Sequence, residues 1–246
     1  MAIHTLAIVG VPFPHGIWTA AAVTLLFAVL ARLVRGVSPS GTAAGAVACF
    51  VLYVSAGPGA FAVLVLVFVL TWLATRFGYW RKQKLGTAES REGRTASQVL
   101  ANLGIAAACA TLAGVTGKAA FLVAMAAALC EAAADTVSSE LGQTQTGYVH
   151  LITTWETVPV GTDGGISGTG TGAGVLASII VSSGCALVGL LPRRELLIPT
   201  LAGILGMIVD SYLGALFERR KLLNNNWVNF FSTMAAAGIA LLLARA

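Results

Sequence analysis

The sequence predicts an all-α, polytopic membrane protein: one integral-membrane domain over residues 1–246, a bundle of about eight transmembrane helices with seven as the alternative count. Three observations carry this. Hydrophobic residues make up 57% of the chain and charged residues 10%, against roughly 25% charged in an ordinary soluble domain. Mean hydropathy is +0.85. The apolar residues gather into runs that match the about 17 to 25 residues a helix needs to cross a ~30 Å hydrocarbon layer.

The stretch before Ile17 holds Pro12, Pro14 and His15 but no Lys or Arg. It lacks the basic start of a cleaved signal peptide and reads as a short non-spanning segment at the interface. The spans then follow at 16–34, 40–56, 58–77, 97–115, 119–140, 172–191, 196–217 and 228–245. The second is the weakest. It is short and rich in Gly and Ala, and Gly57-Pro58-Gly59 either separates it from the third or breaks a re-entrant hairpin. Gly41-x-x-x-Gly45 offers a close-packing helix face within or between chains, which leaves a homo-oligomer open.

Basic residues mark the cytoplasmic side. With eight spans, one face collects Arg32, Arg35, Arg76, Arg81, Lys82, Lys84, Arg91, Arg94, Arg219, Arg220 and Lys221. The other holds only Lys118, Arg193, Arg194 and Arg245. Both termini are therefore expected outside the cytoplasm, in a bacterial inner membrane. Cys49, Cys109, Cys130 and Cys185 sit singly in apolar runs and read as small packing residues. The three histidines are scattered, which argues against a zinc site, and no nucleic-acid partner is expected.

Polar residues inside a membrane are costly unless paired, so their positions bear on function. They form four groups, all next to the cytoplasmic face. The loop Arg76 to Gln98 is basic, and Gln98 and Asn102 enter the fourth span one turn apart on one face, suited to a ligand or a neighbouring helix. In "CEAAADTVSSELGQ", Glu131, Asp135 and Ser138 or Ser139 stack on one stripe. Glu140 projects elsewhere if the helix stays regular. In "VPVGTDGGISGTGTGAG" the glycines allow backbone N–H groups to converge ahead of a helix N-terminus, the makings of a phosphate cradle. The match to nucleotide-binding fingerprints is weak, and Gly168 and Gly172, four apart, fit close helix packing equally. The fourth group is Asp210, with Ser211, inside the seventh span, followed by an asparagine run in which Asn226, Asn229 and Thr233 share a face of the eighth.

Carboxylates, glycine-loop N–H groups and basic side chains at one membrane face suit a nucleotide's phosphates held with Mg²⁺. A bilayer site implies a lipid acceptor with a polar head. The blocks "SPSGTAAGAVACF", "RTASQVLANLG", "EAAADTVSSELG", "VPVGTDGGISGTGTGAG", "DSYLGALFE" and "NNNWVNFFST" resemble, in order over residues 38 to 234, the integral-membrane family of plant phytyl-phosphate kinase and its uncharacterised bacterial and animal relatives. The resemblance implies Mg²⁺-dependent transfer of a phosphoryl group from a nucleoside triphosphate, CTP above others, to an isoprenoid lipid monophosphate. The family commonly has Asn-Gly-Gly where this chain has Asp163-Gly164-Gly165, so Asp163 either binds metal or replaces the amide.

On this reading Asp135 and Asp210, with Glu131, hold Mg²⁺ or the phosphate chain, and Glu131 and Glu140 support or coordinate. Asp163, Gly164, Gly165, Ser167, Gly168, Thr169 and Gly170 cradle phosphate. Lys82, Lys84, Arg91 and Arg94 meet the anionic substrates, while Gln98, Asn102, Asn225, Asn226 and Asn229 orient base, ribose or lipid phosphate. The rivals are a CTP-dependent prenol kinase, a lipid-phosphate cytidylyltransferase and, in another class, a transporter.

Overall fold

The computed structural model describes residues 16–145 and 147–244. Its helices are α1 Ile17–Leu33, α2 Pro39–Arg76, α3 Tyr79–Leu85, α4 Ala96–Thr116, α5 Ala119–Gly142, α6 Gly168–Leu187, α7 Leu197–Leu213 and α8 Asn225–Leu243. A 3₁₀ turn, Arg193–Glu195, leads into α7, and a π-helical turn, Gly214–Glu218, prolongs it. Between α5 and α6 three short strands, β1 Val149–Leu151, β2 Thr157–Val158 and β3 Gly165–Ile166, pair antiparallel in the order β2-β1-β3. The expected non-spanning N-terminal segment and Arg245 lie outside the described residues.

The weak second span is resolved by Gly57. Its φ of 86° and ψ of 178° are open to glycine and break α2 into two helices. A straight helix would hold Pro39 and Arg76 about 55 Å apart. Instead Arg76 Nη2 and Trp72 Nε1 both donate to Val34 O, and the Tyr53 and Phe61 rings lie 5.9 Å apart across the break. The halves therefore run antiparallel. The tip of this hairpin is level with the far ends of α4 and α6: a Cβ on Gly114 would meet Ser55 O at 2.9 Å, and one on Gly59 would meet Val188 at 3.3 Å. Both halves cross the full bundle, so the hairpin is not re-entrant. Six helices are long and apolar enough to span; counting α2 twice and adding the 17-residue α1 makes eight passes among the described residues.

At the centre stands α5, in which every residue from 123 to 134 is buried. Its alanines let neighbours approach closely, and glycines on those neighbours complete the fit. A Cβ at Gly203 of α7 would meet Cys130 Cβ at 2.6 Å, and one at Gly174 of α6 would meet Ala134 O at 2.7 Å. The four cysteines are buried and free, as small packing residues should be. The outer face of α1 carries Leu25, Leu26, Val29 and Leu30, all exposed and suited to lipid.

Candidate active site at the polar face of the bundle

The ends of α2, α5 and α7 and the starts of α4, α6 and α8 meet at one face. Arg81 Nη2 donates to Gln145 O at 2.7 Å, tying α3 to the end of α5, and Arg94 Nη2 donates to Thr136 Oγ1 at 3.3 Å. Gly164 lies so close to Ala215 that an added Cβ would come within 2.4 Å, which docks the glycine loop on the π turn after α7. All four polar groups of the sequence are thereby brought together.

At the focus, Asp135 of α5 and Asp210 of α7 touch side chain to side chain, within electrostatic reach of Glu131. Glu131 is 1% exposed, its oxygens make no hydrogen bond within 3.5 Å, and the Ser232 hydroxyl faces it. Gly206 makes this approach possible, since a Cβ there would sit 2.6 Å from Glu131 Cγ. Ser232 of α8 donates to Asp210 Oδ2 at 3.1 Å, and the Arg94 guanidinium faces Asp135. Two carboxyl groups in contact repel when both are ionised, and a shared proton or a cation between them removes the repulsion. Among the described residues no three His, Cys, Asp or Glu side chains close into a preformed metal cage. Mg²⁺ rarely uses such a cage: it takes one or two carboxylates and fills its octahedron with water and phosphate oxygens. The Asp135–Asp210 pair, with the buried Glu131 carboxyl beside it, fits that requirement.

A second acidic tier lies just beyond. Glu218 interacts electrostatically with both Asp163 and Asp135, and Asp163 faces Arg219. Burial raises the Asp163 carboxyl above its usual range, and Arg219 partly offsets this. Glu218 is the residue the sequence reading missed. In a regular helix, eight residues turn Glu218 about 80° away from Asp210, whereas the extra residue of a π turn returns it to within about 20°. The Arg219 N–H to Gly214 O bond of 3.1 Å is that turn's i to i−5 bond.

Several expected ligands have structural partners instead. Lys82 has no exposed surface, and its ammonium donates to Ala74 O at 3.0 Å, Thr75 O at 2.8 Å and Glu140 Oε2 at 2.5 Å. Thr75 Oγ1 donates to the other Glu140 oxygen. The expectation that Lys82 meets substrate and Glu140 supports catalysis is thus corrected: each neutralises the other because α5 stays regular to Gly142 and aims Glu140 at α3. Gln98 is a helix cap, its Oε1 accepting from Thr95 N at 2.7 Å and its Nε2 donating to Glu89. Asn102 and Asn229 bond to each other across α4 and α8 at 3.4 Å, with Asn229 Oδ1 left over. Asn224 caps α8, while Asn225 and Asn226 occupy its first turn.

The glycine segment also divides differently. Ser167 Oγ accepts from Gly170 N at 3.1 Å and starts α6 four residues before the expected span, so Gly168, Thr169 and Gly170 are helical. Gly170 and Gly174 pack against Ser138 and Ala134 of α5, whereas Gly168 and Gly172, whose spacing suits helix packing as well as a phosphate cradle, face open space. Gly165 N donates to Thr162 O, so Gly164, Gly165 and Gly170 serve packing and strand pairing. Gly168 and Thr169, in the first turn of α6, keep the helix N-terminus that an anion would meet; the Thr169 hydroxyl donates to Gln145 Oε1. Lys84 and Arg91 are exposed, the latter stacked over Trp80. Of Gly41 and Gly45, only Gly41 is tight, and against Arg94 O of a loop.

Comparisons with known proteins agree with this architecture. The chain is 31% identical over 220 residues to protein VTE6, chloroplastic, of Arabidopsis thaliana, a match covering 86% of this chain and 66% of that one. The chain thus spans just under two thirds of that relative. It is 33% identical over 223 residues to the uncharacterized membrane protein MJ0933 of Methanocaldococcus jannaschii, covering 89% and 92%. It is 29% identical to the uncharacterized membrane protein sll0875 of a Synechocystis strain, covering 78% and 76%. No solved structure matches. The model of the integral membrane protein family DUF92 matches residues 22–237, nearly the whole of the described bundle, and the chain belongs to that family.

Proposed function

We propose that the protein is a membrane prenyl-phosphate kinase, active at the cytoplasmic face, that transfers the γ-phosphoryl group of a nucleoside triphosphate, CTP above others, to an isoprenoid monophosphate. The observation that carries this is the contact between Asp135 and Asp210 at the polar end of three packed spans, with Arg94 beside it and the start of α6 packed on α5 one to two turns further on, at Ser138 and Gly142. Phosphoryl transfer asks a protein mainly for positioning and charge stabilisation, and these residues supply both. Asp135 and Asp210 would hold Mg²⁺, which neutralises phosphate charge when bound. Arg94 orients the acceptor phosphate. Gly168 and Thr169 present backbone N–H groups to the donor's phosphates. An oxygen of the acceptor phosphate bonds to the γ-phosphorus as the bond to the β-phosphate oxygen breaks, releasing the nucleoside diphosphate. The acceptor is already anionic at neutral pH, so no general base is needed.

Purified protein in detergent, given Mg²⁺, labelled CTP or ATP and geranylgeranyl or phytyl monophosphate, is expected to form the prenyl diphosphate. Asp135→Asn and Asp210→Asn should each lower the rate by on the order of 10²- to 10³-fold with unchanged melting behaviour. Full activity in both variants refutes the assignment. Release of pyrophosphate with a CDP-lipid identifies a cytidylyltransferase instead.

A further inference from the structure

Beside the acid pair lies a cavity of ≈ 780 Å³ between α1, both halves of α2, α4 and the loop that follows α3. Its inner wall is apolar: Phe27, Cys49, Leu64, Val67, Phe68 and Leu103. Cys49 lies ten residues into α2 and Leu64 twelve before its end. At 1.5 Å per residue the cavity therefore reaches about 15 to 18 Å from the polar face, near mid-membrane. At the polar end its wall holds Arg35, Arg76, Arg81, Arg91 and Arg94. Among the described residues none of these five makes an ion pair with a carboxylate. Glu89, the one acid in the wall, is held by Gln98 Nε2 and Ser90 N. The result is a greasy sleeve with a cationic mouth. That mouth abuts the acid pair, because Ala132 of α5 is in the wall and Arg94 reaches Thr136 and faces Asp135.

An amphiphile with one apolar chain and an anionic head matches this distribution. At about 30 Å³ per non-hydrogen atom, the share of water in its liquid, the cavity holds roughly 26 atoms. A C20 prenyl monophosphate has about 25 by formula, close to that figure, whereas dioleoyl phosphatidic acid, with its two C18 chains, has about 48. We propose that the cavity is the acceptor subsite, taking the isoprenoid chain between α1 and the α2 hairpin and holding the phosphate at Arg94, and that Gly45 sets the chain length it admits. Gly45 lines the cavity one turn below Gly41, and a Cβ there meets nothing within 4 Å. A larger side chain at 45 enters the sleeve without displacing the helix. This inference rests on the kinase reading for the identity of the lipid, but not for its test.

Equilibrium binding to the purified full chain, without nucleotide, uses geranylgeranyl monophosphate, dimethylallyl monophosphate, geranylgeraniol and dioleoyl phosphatidic acid. Gly45→Phe is expected to weaken the C20 monophosphate at least about tenfold, the scale at which lost methylene contacts are felt, and to leave the C5 monophosphate within about twofold. Retained binding of the C5 monophosphate and an unshifted melting temperature of Gly45→Phe control for folding. Arg94→Gln should weaken the monophosphates and leave geranylgeraniol unaffected. Unchanged C20 binding in Gly45→Phe overturns the proposal, as does phosphatidic acid competing as well as the C20 monophosphate. The expected pattern without phosphoryl transfer from any nucleotide upholds the subsite and removes the kinase reading.

Discussion

A lysine with no exposed surface must place all three ammonium protons inside the protein, and Lys82 does so on two carbonyls at the end of α2 and on Glu140. Removing one partner of a buried pair leaves an uncompensated charge and costs about 3 to 5 kcal/mol. Lys82→Met should therefore lower the melting temperature of the detergent-solubilised protein sharply. Lys82→Met combined with Glu140→Gln should recover most of that loss, which a thermal melt of the three variants will show. The residue type alone could not reveal this, because Lys82 stands among Arg81, Gln83 and Lys84 in a run that looks uniformly solvated. The carboxylates of α5 and α7 were legible for the opposite reason: an acid surrounded by alanine and valine stands out, and few placements make it tolerable in a membrane.

At the scale of elements, the stripe of Glu131 and Asp135 could be read from spacing because α5 is regular from end to end. The contribution of Glu218 could not, since a single π turn breaks the periodicity on which such reading depends. Because the π turn amounts to one added residue, deleting Leu216 should restore ordinary helix and still leave Glu218 within about 20° of Asp210, seven residues turning through about 700°. Activity of Glu218→Gln is expected to fall well below that of Leu216→Ala, which keeps both the turn and the carboxylate; equal rates would show that Glu218 has no part in the site. The α2 hairpin was legible as a pair of runs with a suspect junction. Its depth was not, because that is fixed by contacts of Ser55 and Gly59 with helices distant in the chain. The short sheet between α5 and α6 went unseen as well: its strands are two or three residues long, below any periodic signal.

For the molecule as a whole, alternation of the passes puts the loop carrying Lys84 and the turn carrying Lys118 on opposite sides of the membrane. An impermeant maleimide applied to intact cells and to inverted vesicles should label Lys84→Cys from the inside only and Lys118→Cys from the outside only. The four native cysteines, all buried, should stay silent and need not be removed. Labelling of both positions from one side would contradict eight passes. One feature of that basic loop bears on affinity. It is moored at one end by the Lys82–Glu140 pair and at the other by Arg94, whose N–H donates to Gly36 O and whose carbonyl accepts from Ser38 N. Ordering a free loop of this size when a lipid arrives would cost about 1 to 2 kcal/mol per residue in backbone entropy. Here that ordering is completed during folding, so an entering anion meets guanidinium groups already gathered and loses little of its binding energy to freezing the chain.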